Sequence, residues 1–491
     1  MNTATNSNDL LLLLPLLLPA LGGLAVAFLP FLNGKGARRA AVAVTLLLTA
    51  AAAFFVLLRP DASLTLFTLA PDVAALLKTD KPGRLFMGLI GLIFLPLGAY
   101  SFSSMRPEQN EKRFFAFFLF TLAALMGLSL CGNLATLLLF FVILAALSFP
   151  LALAGTKEAA SAAIKYLIYA VIGAALALGG MIMLNRFIPG LAFVPGGALG
   201  KAAGKESGAL AAIFLVGLGF SALAGLFPLH GWLPAAHAAS PAGAALSGVV
   251  TKAGALGVIR VIYSLVGADF LRGTWVQTAW IALALVTVFM GSVLAFKEGL
   301  FQKRLGYSAV SQGSCILFGL FTLTRSGVMG ALLLAVFHSI LQIALSMAAG
   351  AVIDKTGKAK VSELTGIGKQ MPVTMGCFAL ASLGLVGIPP ACGFVSMWYL
   401  AQGGLETAYT WNWVGPAVLL ASAVLAAGYL FSIVIRGFFP GKGVPREALP
   451  KAEPSAAALL PLAILAALCL ALGMFPGLLT DFVGGVAAAL V

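Results

Sequence analysis

Four residues in this 491-residue chain have types and positions suited to moving a proton: Lys252, His230, His237 and His338. Lys252 lies in Val249-Val250-Thr251-Lys252-Ala253-Gly254, near the middle of an apolar stretch over 240–266. An ammonium at a helix centre in lipid costs about 2.5–3.5 kcal/mol on an insertion scale. A lysine kept there suits a site that takes and releases a proton; the plainer reading is a structural lysine bonded to nearby backbone carbonyls. His230 and His237 bracket Phe227-Pro228-Leu229-His230-Gly231-Trp232-Leu233-Pro234, and His338 lies within Ala335-Val336-Phe337-His338-Ser339. Imidazole titrates near neutral pH and can relay protons, although a lone histidine is more often a packing residue. Lys165, at the start of another apolar stretch, is either a fifth member of the path or a marker of that helix's cytoplasmic end. Arg260, two turns beyond Lys252, reads as an end-of-helix anchor. No Asp or Glu lies centrally in any apolar stretch, so Lys252 has no carboxylate partner within the membrane.

These residues need elements to hold them, and composition says which kind. Hydrophobic residues make up 61% of the chain and charged residues 9%, with a mean hydropathy of +1.05. Soluble domains carry about 25% charged residues, so soluble enzymes, secreted modules and nucleic-acid binders are excluded despite a net charge of +14. The positive excess instead reports orientation in a membrane. The five cysteines stand singly, without metal-ligand or disulfide spacing. No phosphate loop, HExxH or Ser/His/Asp grouping occurs, so the chain is expected to have no catalytic site or cofactor of its own.

A membrane-spanning helix needs about 20 mostly apolar residues. Fourteen stretches qualify, near 9–31, 38–58, 84–104, 113–131, 133–154, 160–184, 208–229, 240–266, 276–296, 305–324, 327–352, 372–402, 412–436 and 455–476. The first lacks the basic lead-in of a signal peptide, because Asn2 to Asp9 supplies only polar residues and one acid, and it reads as a retained helix. The fold class is therefore an all-α polytopic membrane protein. Nineteen of the 30 Lys and Arg fall in odd-numbered loops and their flanks, nine in even-numbered ones, and Lys252 and Arg260 inside a helix. The positive-inside rule then places both termini outside.

Two stretches are interrupted. The seventh runs into Phe227–Pro234, with Pro228 and Pro234; the twelfth runs into Gly387-Ile388-Pro389-Pro390-Ala391-Cys392-Gly393-Phe394. Proline removes a backbone donor and clashes with the preceding turn, and broken backbone at membrane depth survives only where protein or water satisfies it. Each break falls in the fourth member of a five-helix block. The second block enters from the opposite side, which makes the pair an inverted repeat and a pointer to an ion path; ordinary proline kinks are the alternative. The expected organisation is a three-helix segment (1–112), two five-helix repeats (113–266 and 267–436) and a C-terminal helix with its tail (437–491).

Phe227 to His237 (FPLHGWLPAAH), Thr251 to Arg260 (TKAGALGVIR), Tyr307 to Ser311 (YSAVS), Glu363 to Pro372 (ELTGIGKQMP) with Gly387 to Phe394 (GIPPACGF), and Leu472 to Gly477 (LGMFPG) occur in order along most of the chain. Together they resemble the antiporter-like membrane subunits shared by respiratory complex I, membrane-bound hydrogenases, formate hydrogenlyases and multi-subunit cation/proton antiporters. Ala235 departs from the usual Asp, and Lys303-Arg304 sits one residue out of register. The resemblance implies fourteen helices and a central row of charged side chains along which protons move. Lys252, His338 and Lys165 match members of that row. Four other positions do not: Ala145 stands at the helix-five glutamate, Leu223 at the helix-seven lysine, Gln342 at the helix-eleven lysine and Met397 at the helix-twelve lysine or glutamate. A Glu–Lys pair lets charge at one site change proton affinity at the other, and without it the route meets apolar side chains.

The resulting expectation is a non-redox membrane-arm subunit of a complex I-like or hydrogenase-like assembly, with a degenerate proton pathway and a structural or weakly translocating role. The alternatives are an active proton- or cation-translocating subunit using an unusual route, a subunit of a multi-subunit cation/proton antiporter, and, least favoured, a stand-alone transporter. The resemblance places redox cofactors on partner subunits and none in this chain. Partners are other membrane subunits, the lipid bilayer and, indirectly, redox subunits, with no nucleic acid. The location is a bacterial or archaeal cytoplasmic membrane.

Overall fold

The computed structural model describes residues 10–58, 61–70, 73–104, 110–153, 157–199, 206–239, 241–440 and 451–491. Of the charges behind the orientation count, Arg59, Arg106, Lys201, Lys205, Lys442 and Arg446 lie outside the described residues, as does Asn2 to Asp9. Helices α1 (Leu14–Phe28) and α2 (Lys35–Leu57) lead into a hairpin of β1 (Ser63–Ala70) and β2 (Val73–Lys78). Next come α3 (Lys81–Ser104), α4 (Glu111–Ser129), α5 (Leu134–Ala152), α6 (Lys157–Leu184) and α7 (Ser207–Ala224). After the first break follow α8 (Trp232–Ala239) and α9 (Pro241–Ile259), which widens into a π-helical stretch over Arg260–Val266, then short α10 (Ala268–Leu271). The second half holds α11 (Trp275–Lys297), α12 (Phe301–Phe321), α13 (Arg325–Thr356), short α14 (Ile367–Gln370) and α15 (Pro372–Val386). Beyond the second break lie α16 (Gly393–Leu405), α17 (Val414–Phe438), α18 (Ala456–Met474) and α19 (Gly477–Leu490).

Twelve of these helices are long and apolar enough to cross a membrane. Two expected spans fall outside that set, α12 because its first turns are polar and the α15–α16 pass because it is broken. With both included, the chain has about 14 passes, and it is the all-α membrane fold expected. The tenth pass begins at Phe301 rather than near 305, since Gln302, Lys303 and Arg304 already belong to the helix. The hairpin is an addition to the expected fold. Its strands pair antiparallel from Ser63 opposite Lys78 to Ala70 opposite Val73, and the Lys78 amide donates to Leu130 O at 2.6 Å and the Gly132 amide to Leu76 O at 2.8 Å.

Side-chain caps start several helices: Asn110 accepts from Arg113 N, Asn133 from Thr136 N and Thr324 from Gly327 N. Each satisfies an amide the helix start would otherwise leave unpaired. Both proline breaks end their first half-helix identically. Gly225 (φ 86°) and Gly387 (φ 85°) take left-handed conformations, and the next residue's amide returns to the carbonyl five back, Leu226 to Ser221 and Ile388 to Leu383. Glycine adopts that conformation without a Cβ clash, closing a helix where proline forbids another turn.

Burial ranks the helices from centre to rim. In α13, 94% of the spanning window is buried, and in α9 with its π-helical stretch all of it, against 28% for α1, α2 and α6. The central α13 packs against α9, α12, α15, α16 and α18. The two halves of the chain thus meet at α9 and α13, where Lys252 and His338 reside.

Candidate proton-relay site

Lys252 is the only buried lysine among the described residues. Close packing sets its depth: a Cβ on Gly254 would lie 2.6 Å from Ala224 N and 2.7 Å from Phe220 O, so α9 rests directly on the end of α7 at the first break. The Lys252 ammonium donates to His338 Nδ1 at 2.5 Å and to Thr251 Oγ1 at 3.3 Å. The expected absence of an acid is thus met by an imidazole from the other half of the chain. A neutral ring accepting at Nδ1 carries its hydrogen on Nε2, an atom that is buried with no partner.

His338, Gln342 and Ser346 follow at i, i+4 and i+8 along one face of α13, a spacing that stacks side chains one turn apart. The Gln342 amide donates to His237 Nε2 at 2.9 Å and to Leu305 O at 3.3 Å. His237, in α8 just after the break, holds its Nδ1 3.0 Å from Leu233 O. The carbonyl assigns the hydrogen to Nδ1 and leaves Nε2 to accept from Gln342. One turn on, the Gln302 amide of α12 donates to Ser346 O at 3.3 Å. Buried and unpartnered Gln342 Oε1, Ser346 Oγ and Gln302 Oε1 lie along the same line. A polar row therefore runs from Lys252 to the start of α12, beside Lys303 and Arg304.

The remaining sequence candidates lie elsewhere. His230 sits in the first break, half-buried and stacked on Phe227 with ring centres 5.9 Å apart. Lys165 is on the exposed side of α6, its Cε 3.5 Å from where a Cβ on Gly231 would stand. Pro228 and the Pro389-Pro390 pair are exposed, whereas Pro234 is buried in α8. Helix α18 covers the second break, where Cys392 N donates to Cys469 O at 3.1 Å. Of the four positions that depart from the resemblance, Ala145 and Leu223 are buried and apolar, Met397 is half-buried over Gly387, and Gln342 belongs to the polar row. Sequence reasoning missed Gln302 and Ser346, although the polar spacing on α13 was available as a signal. It also read Arg260 as an anchor without its partner: that guanidinium is fully buried and grips Asp80, at the start of α3, through both nitrogens.

Residues 131–425 match the family described as NADH:quinone oxidoreductase/Mrp antiporter, transmembrane. The chain belongs to that family. Among its relatives, an NADH-quinone oxidoreductase subunit of Desulforudis audaxviator is 32% identical over 403 residues, covering 79% of each chain. A Na(+)/H(+) antiporter subunit of Bacillus subtilis is 29% identical over 376 residues, covering 74% of this chain and 73% of that one. In fold, a chain of the Mrp complex from Dietzia sp. superposes with a TM-score of 0.85 at 21% identity, over 98% of this chain and 97% of that one. This is an antiporter-like membrane subunit, and members of its family are subunits of multi-subunit membrane complexes.

Proposed function

We propose that this chain is a membrane-arm subunit of a complex I-like or hydrogenase-like energy-converting oxidoreductase whose proton pathway is degenerate, leaving it a structural or weakly translocating role. One observation carries the reading: the single buried amine among the described residues is paired with a neutral imidazole rather than a carboxylate, while Ala145 and Leu223 put apolar side chains where the relay would continue. An amine and an imidazole in contact share one proton. With no fixed negative charge beside them, arrival of a second proton is opposed by repulsion, so the pair holds one proton and has no neighbouring acid to pass it to. The redox cofactors belong to partner subunits. The two matching glycine-capped breaks support paired five-helix repeats, and the Lys/Arg bias supports both termini outside a bacterial or archaeal cytoplasmic membrane.

A second reading, active translocation by a non-standard route, is favoured by the polar row itself. Bridging water fits the unpartnered atoms of Gln342, Ser346 and Gln302 and would link His338 to the start of α12. Reconstitution of the assembled complex in proteoliposomes separates the two. With Lys252→Ala, an unchanged proton-to-electron ratio is expected; a reduced ratio refutes the degenerate pathway and selects the second reading.

A further inference from the structure

At the end of the molecule bearing the hairpin, the start of α3 and the C-terminus of α19, a cavity of about 350 Å³ opens between Lys78, Lys81 and Arg84 on one side and the Phe193–Gly196 segment on the other. Its charges do not balance. Asp61 is held by Arg84, with Nη2 3.0 Å from Oδ1, and Asp80 by Arg260 from beneath. Both carboxylates in the lining are thus neutralised by guanidiniums. The ammoniums of Lys78 and Lys81 remain uncompensated: neither lies within ion-pair distance of a carboxylate among the described residues, and Lys81 donates only to the Gly485 carbonyl, 3.3 Å away on α19. Arg84 Nε is, in addition, a buried donor without an acceptor.

Two surplus ammoniums in a partly enclosed cup match the two anionic oxygens of one phosphate group, an anion lysine binds as a point charge. Part of the wall is apolar, formed by Phe193, Val194, Pro195, Ala489 and Leu490. Further back along α19, Leu478 and Phe482 are exposed. A phosphate carrying hydrocarbon fits such a cup better than a free ion. We propose that this cavity binds a phosphate group, supplied by an anionic phospholipid whose acyl chains lie against the apolar wall and α19.

The test uses the full chain in nanodiscs of phosphatidylcholine with a minor fraction of phosphatidylglycerol, read by the phosphatidylglycerol retained in native mass spectrometry. Each ammonium is worth about fivefold near an anionic headgroup, so Lys78→Gln with Lys81→Gln should weaken retention about thirtyfold. Arg325→Gln, removing an exposed charge outside the cavity, serves as the control and should leave retention unchanged. A parallel thermal-stability series with inorganic phosphate distinguishes the source. Stabilisation by phosphate that the double variant abolishes, without lipid retention, would keep the phosphate site but overturn the lipid assignment. Equal retention in the double variant and the control, with no phosphate effect, overturns the proposal.

Discussion

Replacing Asp80 by asparagine should damage the fold more than removing its partner, Arg260. The Arg260 side chain is fully buried, whereas the Asp80 side chain is 28% exposed. The guanidinium makes two bonds to Asp80 (one at 2.9 Å), one to Ser129 O at 3.3 Å, and lies 5.4 Å from the centre of the Phe193 ring. Asparagine keeps an oxygen to accept from Gly83 N, the bond that caps α3 at 2.9 Å, so Asp80→Asn removes charge while preserving the cap. What remains is a buried cation facing a neutral amide, and breaking a buried pair in this way costs about 3–5 kcal/mol. Arg260→Met removes the charge that cannot reach water; Asp80 can hydrate through its exposed edge, which limits the loss to about 1–2 kcal/mol. The double variant should recover most of the Asp80→Asn deficit, because it buries no unpaired charge.

Unfolding in mixed micelles titrated with an ionic detergent measures the four members of this cycle. The coupling between the two sites should exceed about 1 kcal/mol. If Asp80→Asn is no more destabilising than Arg260→Met, or if the double variant is as unstable as Asp80→Asn, then the buried guanidinium does not depend on this carboxylate.

Two further outcomes test how the site is held. Gly254→Val should destabilise the chain by about 1–3 kcal/mol through overpacking, read as a lower thermal midpoint, because its side chain meets backbone atoms of α7; Gly376→Ala, where nothing lies within 4 Å of the new Cβ, should not. At the α11–α12 turn, burial pushes the Glu298 carboxyl up, but the Lys303 ammonium at 2.9 Å and the amides of Leu300 and Gly299 outweigh it and hold the group below its ordinary value. A carboxyl lowered in the folded state stabilises above its unfolded value, and that contribution disappears as pH falls through the lowered one. The stability gap between the native chain and Glu298→Gln should therefore be present at neutral pH and close in acid; a gap that widens on acidification contradicts the assignment.

The spans, the breaks and the family were legible along the chain because each depends on local chemistry. Twenty apolar residues must be helical in lipid, and Pro228 or Pro389-Pro390 stops a helix wherever it falls. The hairpin was not legible: Ser63 to Ala70 is short, and its pairing with Val73 to Lys78 is completed by the α4–α5 turn. Gln342 was read as a lost charge because a position was compared with a residue type. Its role depends on His237, 105 residues away, which reaches it only after the broken seventh pass folds α8 against α12.

Composition and proline placement alone decide that this chain crosses the membrane many times and where two of its helices must open, since both follow from the cost of exposing backbone and charge to lipid. Which polar groups meet was decided by packing. Lys252 and His338 are 86 residues apart, Arg260 and Asp80 are 180 apart, and each pair forms because a buried charge has to find a partner among the side chains that close helix contacts bring within reach.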